Sequence, residues 1–299
     1  MHNIKIKNFL LCPQCMKEDL RRNETASLIC NKCKISYLQN PSTFFYDFRS
    51  QAPNQGKGLL IRQETDFYSN DLFMQFVRAN SLKNDRGIIE ALNPEVILDI
   101  GCGNGLFAES LKGLFSKYIG FEPSDVPIVK SYLSSLSDNI FLFHDDVDKA
   151  LPLQDESIDL VLFMASYDHI PRPEKIVRNA WSKLKSGGHL MIVMSNYDFW
   201  IKKFLNLIFG KQFFKHDHEH YCVHSPESLK KEILNFIPKA HLEIIDADYL
   251  YIPNLPKKIS FLYFNYWWLY ILDKGLKFMI TSVVGMKHRG STMTLVFKK

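Results

Sequence analysis

The sequence predicts an α/β fold: a doubly wound, mainly parallel sheet preceded by a small, separately stabilised unit. Three observations predict it. From Pro94 onward, short apolar, β-branched runs alternate with stretches of helical periodicity. The first of those runs ends in a glycine-rich turn, Gly101-Cys102-Gly103-Asn104-Gly105. Four of the six cysteines fall in the first 33 residues as two C-x-x-C pairs. A chain of 299 residues is long for one minimal domain and short for three.

In order along the chain, residues 1–48 read as the small unit. The polar run Ser50–Gly58, rich in Gly, Pro, Asn and Gln, places a linker at 49–64. The main domain is then 65–299. Residues 62–92 read as helical, with Phe67, Phe73, Met74, Phe76 and Val77, then Ile88, Ile89 and Leu92, at helical spacing. Val96–Ile100 is a buried parallel strand, followed by a helix over 106–115. Strands follow at 118–121, 140–143, 158–164 and 189–194, with helices at 126–136 and 174–184. The Gly187-Gly188 turn opens the strand at 189. A helix at 226–236 and strands at 241–249 and 291–297 complete the pattern. Segments 197–224 and 253–290 stand between these elements as insertions.

Composition excludes whole classes. Hydrophobic residues at 46% and charged residues at 23% fit a globular core, not a disordered, collagen-like or disulfide-dense chain. The formal charge of +5 permits nucleic acid or anionic lipid as a partner without demanding either. The N-terminal ten residues have Lys5 and Lys7 but no apolar core or cleavage site, so they do not read as a signal peptide. The expected compartment is the reducing cytoplasm, where paired C-x-x-C motifs read as metal or redox sites. Aromatic residues are in excess at 13%. Part of that excess lies in the uncharged run Ile259–Leu272, whose 14 residues fall short of the ~20 needed to span a bilayer as a helix. It reads as a buried helix or dimer face, or else as a hydrophobic substrate wall or membrane-surface contact.

Cys12-Pro-Gln-Cys15 and Cys30-Asn-Lys-Cys33, fourteen residues apart, are spaced to bring four thiolates to the corners of a tetrahedron, which suits structural Zn²⁺. Nearby Lys17, Arg21, Arg22, Lys32 and Lys34 would offset the resulting negative charge. So small a segment lacks the apolar burial to fold alone, so the metal would supply that energy. The alternative is a pair of redox dithiols, although no strand–helix context surrounds either pair.

At the glycine-rich turn, glycines allow close backbone approach and positive φ, and the helix beginning at Leu106 would favour a carboxylate at its N-terminus. Leu106 occupies the position where the dinucleotide fingerprint G-x-G-x-x-G needs glycine. Glu122, 17 residues past Gly105 at the tip of the second strand, can accept hydrogen bonds from a ribose diol. His144-Asp145-Asp146-Val147 follows the third strand, where an adenine would lie.

These motifs, in this order, resemble class I S-adenosylmethionine-dependent methyltransferases. Leu98–Gly105 is similar to the first motif of that family and Gly120-Phe121-Glu122 to the second. Asp146-Val147 with Leu151-Pro152-Leu153 and Ser157–Val161 resembles the third and fourth. Glu174–Leu184 followed by Lys185–Ile192 resembles the helix, glycine turn and fifth strand. The resemblance implies a Rossmann-like seven-stranded sheet in the order 3-2-1-4-5-7-6, with an antiparallel last strand, behind an N-terminal zinc ribbon. It implies S-adenosylmethionine held by Asp99, Gly101, Cys102, Gly103, Glu122 and Pro123. Asp146 and Val147 would address the adenine, or Asp145 in their place, since Asp146-Val147 sits one residue further from Leu151-Pro152 than usual. Met164 and Ser166 would line the reaction face, and the helix around Tyr68 would close over the cofactor. His169, after the fourth strand, resembles the family's histidine at that place and would face the transferable methyl; as a plain loop histidine it would do neither.

The run His216-Asp-His218-Glu-His220-Tyr-Cys222-Val-His224 admits three readings: an acceptor-facing loop, a substrate or base role for His220, or a metal site. Ser225-Pro226-Glu227-Ser228 after it is a helix start. The expected activity is methyl transfer to a small-molecule or glycan/lipid-type acceptor, the choice favoured by the aromatic insertion. A ribosomal RNA guanine methyltransferase with a zinc-ribbon RNA contact is the alternative, weakened by the mild charge and by Cys33 where a histidine is expected. A non-catalytic binding module is the third class, and intact Asp99, Gly103 and Glu122 speak against it.

Overall fold

The computed structural model describes residues 9–23, 27–40, 44–48, 85–103, 105–123, 139–145, 150–199, 221–248 and 292–299, with single positions at 275, 278, 279 and 290. The linker at 49–64, Tyr68, the helix expected at 126–136, Asp146, Val147, the aromatic run 259–272 and His216, His218 and His220 lie outside the described residues. Of the helix expected over 62–92, residues 85–92 are described and are helical (α1).

Two sheets are present among the described residues. The small one joins β1 (Leu20–Arg22), β2 (Leu28–Cys30) and β3 (Ser36–Tyr37) antiparallel, in that order. The large one contains β4 (Phe45–Asp47), β5 (Val96–Ile100), β6 (Lys117–Glu122), β7 (Ile140–His144), β8 (Ile158–Met164), β9 (Leu184–Ser195), β10 (His241–Asp248) and β11 (Thr292–Lys298). Its order is β10-β11-β9-β8-β5-β6-β7-β4. Counted from β5, the last seven strands give the expected 3-2-1-4-5-7-6, with β11 antiparallel to both β9 and β10.

The eighth strand, β4, was not expected in this sheet. Residues 45–47 precede the linker-like run, so composition groups them with the N-terminal unit. They pair in parallel with β7 instead, Phe45 opposite Leu142, Tyr46 opposite Phe143 and Asp47 opposite His144. Two buried aromatic residues followed by an exposed aspartate behave as sheet edge, whatever follows them in sequence.

β5 is buried along its whole length, as a strand covered on both faces must be. Its side chains alternate between two cores. Val96, Leu98 and Ile100 join the face that also holds Phe121, Phe143, Phe163 and the residues of α3 (Pro173–Lys183) and α4 (Pro226–Phe236). Ile97 joins the other face with Tyr118, Leu142, Leu160 and Ile89 of α1. The same alternation puts Asp99 on this second face. α4 begins as expected: Ser225 caps it with a reciprocal Ser225–Ser228 capping box and Pro226 in the first turn.

Some boundaries move. α2 covers Leu106–Ser110 and stops well short of 115. Gly113, with φ of 88°, breaks the pattern before β6. At five residues, α2 carries no appreciable dipole, so the carboxylate attraction expected at Leu106 does not apply. Leu184 ends the preceding helix and opens β9, which runs through the glycine turn to Ser195.

Candidate cofactor site and metal centre

The glycine turn is built at the carboxyl end of β5, where ligands bind in open α/β sheets. Gly101 and Cys102 donate backbone N–H groups to Phe121 O at 2.8 and 3.1 Å, fastening the turn to the end of β6. Gly101, Gly103 and Gly105 all hold positive φ, at 76°, 54° and 81°. Gly101 also needs the absence of a side chain: a Cβ there would lie 2.5 Å from Cβ of Ser166. Ser166 donates its hydroxyl to Ile100 O, so the segment after β8 locks onto the end of β5. Ala165 beside it holds φ of 54°, a strained conformation of the kind found at functional sites.

Glu122 accepts Gly103 N–H at 2.9 Å through one carboxylate oxygen. A carboxylate has about four acceptor positions, so this bond leaves capacity for a diol. Asp99 is fully buried and accepts the hydroxyl of Tyr118 through Oδ2. Its Oδ1 finds no hydrogen-bond donor among the described residues. Burial pushes its carboxyl up to about 7; the Tyr118 hydrogen bond opposes that rise and the Glu122 charge adds to it. Cys102 contributes backbone to the turn, while its sulfur is packed where Gly120 has no side chain. Pro123 is half-buried after β6, Asp145 is buried after β7, and Met164 is buried at the end of β8. His144 Nδ1 lies 3.3 Å from Glu122 O.

His169 closes a 3₁₀ turn (Tyr167–His169) directly after β8. Its side chain is 29% exposed, with Nε2 3.8 Å from Oδ1 of buried Asp168. Segment 221–224 lies across this turn: Tyr221 N–H donates to Asp168 O at 2.8 Å and His224 bridges to Asn196 beyond β9. Beneath it, Tyr167 donates its hydroxyl to Glu232 Oε1 at 2.5 Å, and His224 Nε2 sits 3.4 Å from the same oxygen. Tyr118, Tyr167, Glu232 and His224 were not read as site residues. Tyr118 is two residues before Gly120 in the register that pairs Gly120 with Asp99, a signal available once β5 and β6 are taken as neighbours. The Tyr167–Glu232 contact joins positions 65 apart and had no local signature. A groove of about 570 Å³ beside α3 and α4, lined by Arg172, Lys175, Cys222 and Phe236 among others, shares no residue with the glycine turn.

In the N-terminal unit the two C-x-x-C loops fold alike. Met16 N–H returns to Cys12 O at 2.7 Å and Lys34 N–H to Cys30 O at 2.9 Å. Met16 and Lys34, each four residues past the first cysteine of its loop, both hold positive φ, at 52° and 62°. The four sulfurs lie within 4.8 Å of one another. Cys12 and Cys33 are 3.6 Å apart and Cys15 and Cys30 3.7 Å. A zinc–thiolate tetrahedron with bonds of about 2.3 Å has edges of about 3.8 Å, so the donor set fits that ion.

A family model described as a methyltransferase domain matches residues 72–236, more than half of the chain. The chain belongs to this methyltransferase-domain family. Two curated relatives are ubiquinone biosynthesis O-methyltransferases. The one from Cupriavidus pinatubonensis is 26% identical over 53% of this chain and 64% of its own length. The one from Aliivibrio fischeri is 29% identical over 39% of this chain and 50% of its own length. The chain thus spans between half and two thirds of these relatives. An S-adenosylmethionine-dependent methyltransferase from Mesorhizobium loti shares the fold, with a TM-score of 0.50 and 13% identity over 75% of this chain and all of the other.

The residues of this methyltransferase domain fit the cofactor of its class. A buried carboxyl oxygen without a donor calls for a cationic or hydrogen-bonding group, and the Glu122 carboxylate keeps acceptor capacity beyond its bond from Gly103. Asp99, the glycine turn and Glu122 are the residues that would hold S-adenosylmethionine.

Proposed function

We propose that this chain transfers the methyl group of S-adenosylmethionine to a hydroxyl of a small-molecule acceptor. The observation that carries the reading is the arrangement of Asp99, Gly103 and Glu122 at adjacent ends of β5 and β6, with buried Asp99 Oδ1 lacking a donor among the described residues. When bound, the cofactor would supply an electrophilic methyl on a sulfonium, with a neutral thioether as the leaving group. Such an in-line displacement needs alignment above all. The lock between Ser166 and Ile100 supplies rigidity on the face where the acceptor would sit. The acceptor's hydroxyl proton must leave, and His169, half-buried after β8 beside the Asp168 carboxylate, is positioned to take it. The two ubiquinone-biosynthesis relatives favour a small acceptor over a polymer, and an oxygen over a nitrogen or carbon.

We further infer that Cys12, Cys15, Cys30 and Cys33 hold one structural Zn²⁺. Support comes from the fit of their spacing to the ion and from the matched geometry of the two loops. The cytoplasm, where thiolates persist, is the compartment we assign on that chemistry.

The test is a calorimetric titration of the full chain with S-adenosylmethionine and then a methyl-transfer assay on a panel of phenols, a glycan and a structured RNA. Binding with turnover on a phenol supports the proposal. Absence of cofactor binding overturns it, and turnover on RNA or glycan alone overturns the acceptor assignment. Metal analysis should return one zinc per chain; none in protein purified without chelator overturns the zinc assignment.

A further inference from the structure

The N-terminal unit and the cofactor site meet at one strand. β7 pairs with β6 on one side and, among the described residues, with β4 on the other. β4 follows the cysteine unit directly: Asn40 N–H donates to Phe45 O and Phe44 N–H to Asn40 O, both at 2.8 Å, and Gln39 bridges Tyr46. Without β4, the distal edge of β7 would lose its backbone partners.

The contacts continue to the site. Phe45 stacks on the His144 ring, centroids 4.5 Å apart at 26°. Phe48 N–H donates to His144 O at 2.9 Å, and the Phe48 ring lies 4.3 Å from that of Phe143. Tyr37 packs on Phe48 at 4.7 Å and its hydroxyl reaches Cys12 Sγ at 3.2 Å. Three contacts in series, Cys12 to Tyr37, Tyr37 to Phe48 and Phe48 to His144, therefore join a cysteine of the metal centre to the tip of β7. His144 in turn touches Glu122 O, and Asp145 follows it. Strands stand about 4.8 Å apart, so a ribose held at Glu122 on β6 directs its nucleobase over the end of β7.

We propose that the four-cysteine unit completes the base-binding end of the cofactor site, so that its metal occupancy sets the affinity for S-adenosylmethionine. This rests on the cofactor reading above. The two states are physical ones. With metal, the unit is folded and β4 is held in register on β7. Without it, the two cysteine loops lose their cross-link, and the short strands are held only by the apolar residues, Leu20, Leu28 and Tyr37 among them, that join the main core. Phe45 and Phe48 are then free to leave His144. Phe45 is a positioning residue in this scheme: it acts on the cofactor through His144.

The experiment titrates the full chain with S-adenosylhomocysteine by calorimetry in three forms: zinc-loaded wild type, metal-depleted wild type, and zinc-loaded Phe45→Ala. Hydrogen exchange at 140–145 is followed in each, with thermal unfolding as the check on folding. Depletion should weaken binding about fivefold or more, the lower range of coupling between linked sites. Exchange at β7 should rise with it. Phe45→Ala should keep one zinc per chain and show the same direction in both readouts. Equal affinity in all three forms overturns the coupling, because the cofactor then binds without regard to the unit. If the depleted chain does not fold, zinc-loaded Phe45→Ala decides alone, and an unchanged affinity overturns the proposal. Absence of binding by zinc-loaded wild type overturns the cofactor reading itself.

Discussion

Asp99→Asn separates what the folded chain tolerates from what the cofactor needs. The carboxyl lies at the end of the first strand of the sheet core, fully buried, and burial raises it from an ordinary 3.8 to about 7. That displacement corresponds to about 4 kcal/mol at 25 °C. Because the folded-state value is the higher one, the folded chain holds a proton that the unfolded chain gives up. The stability tied to this carboxyl is complete below 3.8 and is lost as pH rises through about 7. Asparagine keeps an acceptor for the Tyr118 hydroxyl and removes the charge. Its amide N–H group is left without an acceptor, which costs about 1–3 kcal/mol. At pH 8 the variant should therefore be more stable than wild type by roughly 1–3 kcal/mol. At pH 4 it should be equal or less stable. The cofactor should respond in the opposite direction. An ionised Asp99 facing a cationic donor makes a charge-assisted hydrogen bond, and its loss should weaken binding about 10- to 150-fold. Urea unfolding of both proteins from pH 4 to 8 isolates the carboxyl in their difference. Titrations in two buffers of different ionisation enthalpy should detect proton release on cofactor binding near pH 7. A stability difference that stays flat with pH, or an unchanged affinity, refutes the reasoning.

The remaining predictions concern the glycine turn, Glu122, Glu232 and the four-cysteine unit. Gly101→Ala places a Cβ 2.5 Å from that of Ser166 at a φ of 76°, and should lower stability by roughly 2–4 kcal/mol in urea unfolding. Glu122→Gln keeps an acceptor for Gly103 N–H and should fold normally, but bind S-adenosylhomocysteine about tenfold more weakly by calorimetry. Burial works to raise the Glu232 carboxyl, and hydrogen bonds from His224 and Tyr167 overcome it, holding it below its ordinary 4.5. Its contribution is present above that value and lost as pH falls through the lower folded-state value, so the stability gap to Glu232→Gln should narrow in acid unfolding experiments. Cys15→Ser should lower zinc content by metal analysis and unfold the N-terminal unit at a lower temperature.

The sheet was legible because its signals are local. β5 announces itself by five consecutive apolar or strand-ending residues, Val96–Ile100, and by the glycines that follow. The 226–236 helix is marked at its start by Ser225 and Pro226, and the structure places it there to the residue. β4 was not legible, since Phe45-Tyr46-Asp47 carries no sign of which sheet it joins. Its partner β7 lies nearly a hundred residues on, and the pairing of all three residues with Leu142, Phe143 and His144 decides the matter. Burial of aromatic rings chose the sheet, and the linker composition after them was a misleading cue. The same lack of local signal affects α2, which the apolar run to Phe115 extends and Gly113 cuts short.

The site divides along the same line. The glycine turn was legible because positive φ is built from few residue types, and Gly101, Gly103 and Gly105 all hold it. What the sequence could not supply is how the carboxyls are tuned. Asp99 and Glu122 look alike on paper. In the fold Asp99 is sealed beside Tyr118 and driven toward neutrality, while Glu122, also buried, accepts the backbone N–H of Gly103. On the acceptor side the difference is greater still. His216, His218 and His220 lie outside the described residues, but His224, four residues further on, faces inward to Glu232 and Tyr167. A histidine so placed holds the 221–224 segment against the turn that carries His169 and is not open to solvent. Acceptor selectivity in this domain would then depend on how firmly that segment is held as well as on what lines the pocket. Substitutions at Glu232 should accordingly alter the KM for the acceptor more than the Kd for the cofactor, whose turn lies on the other side of Ser166.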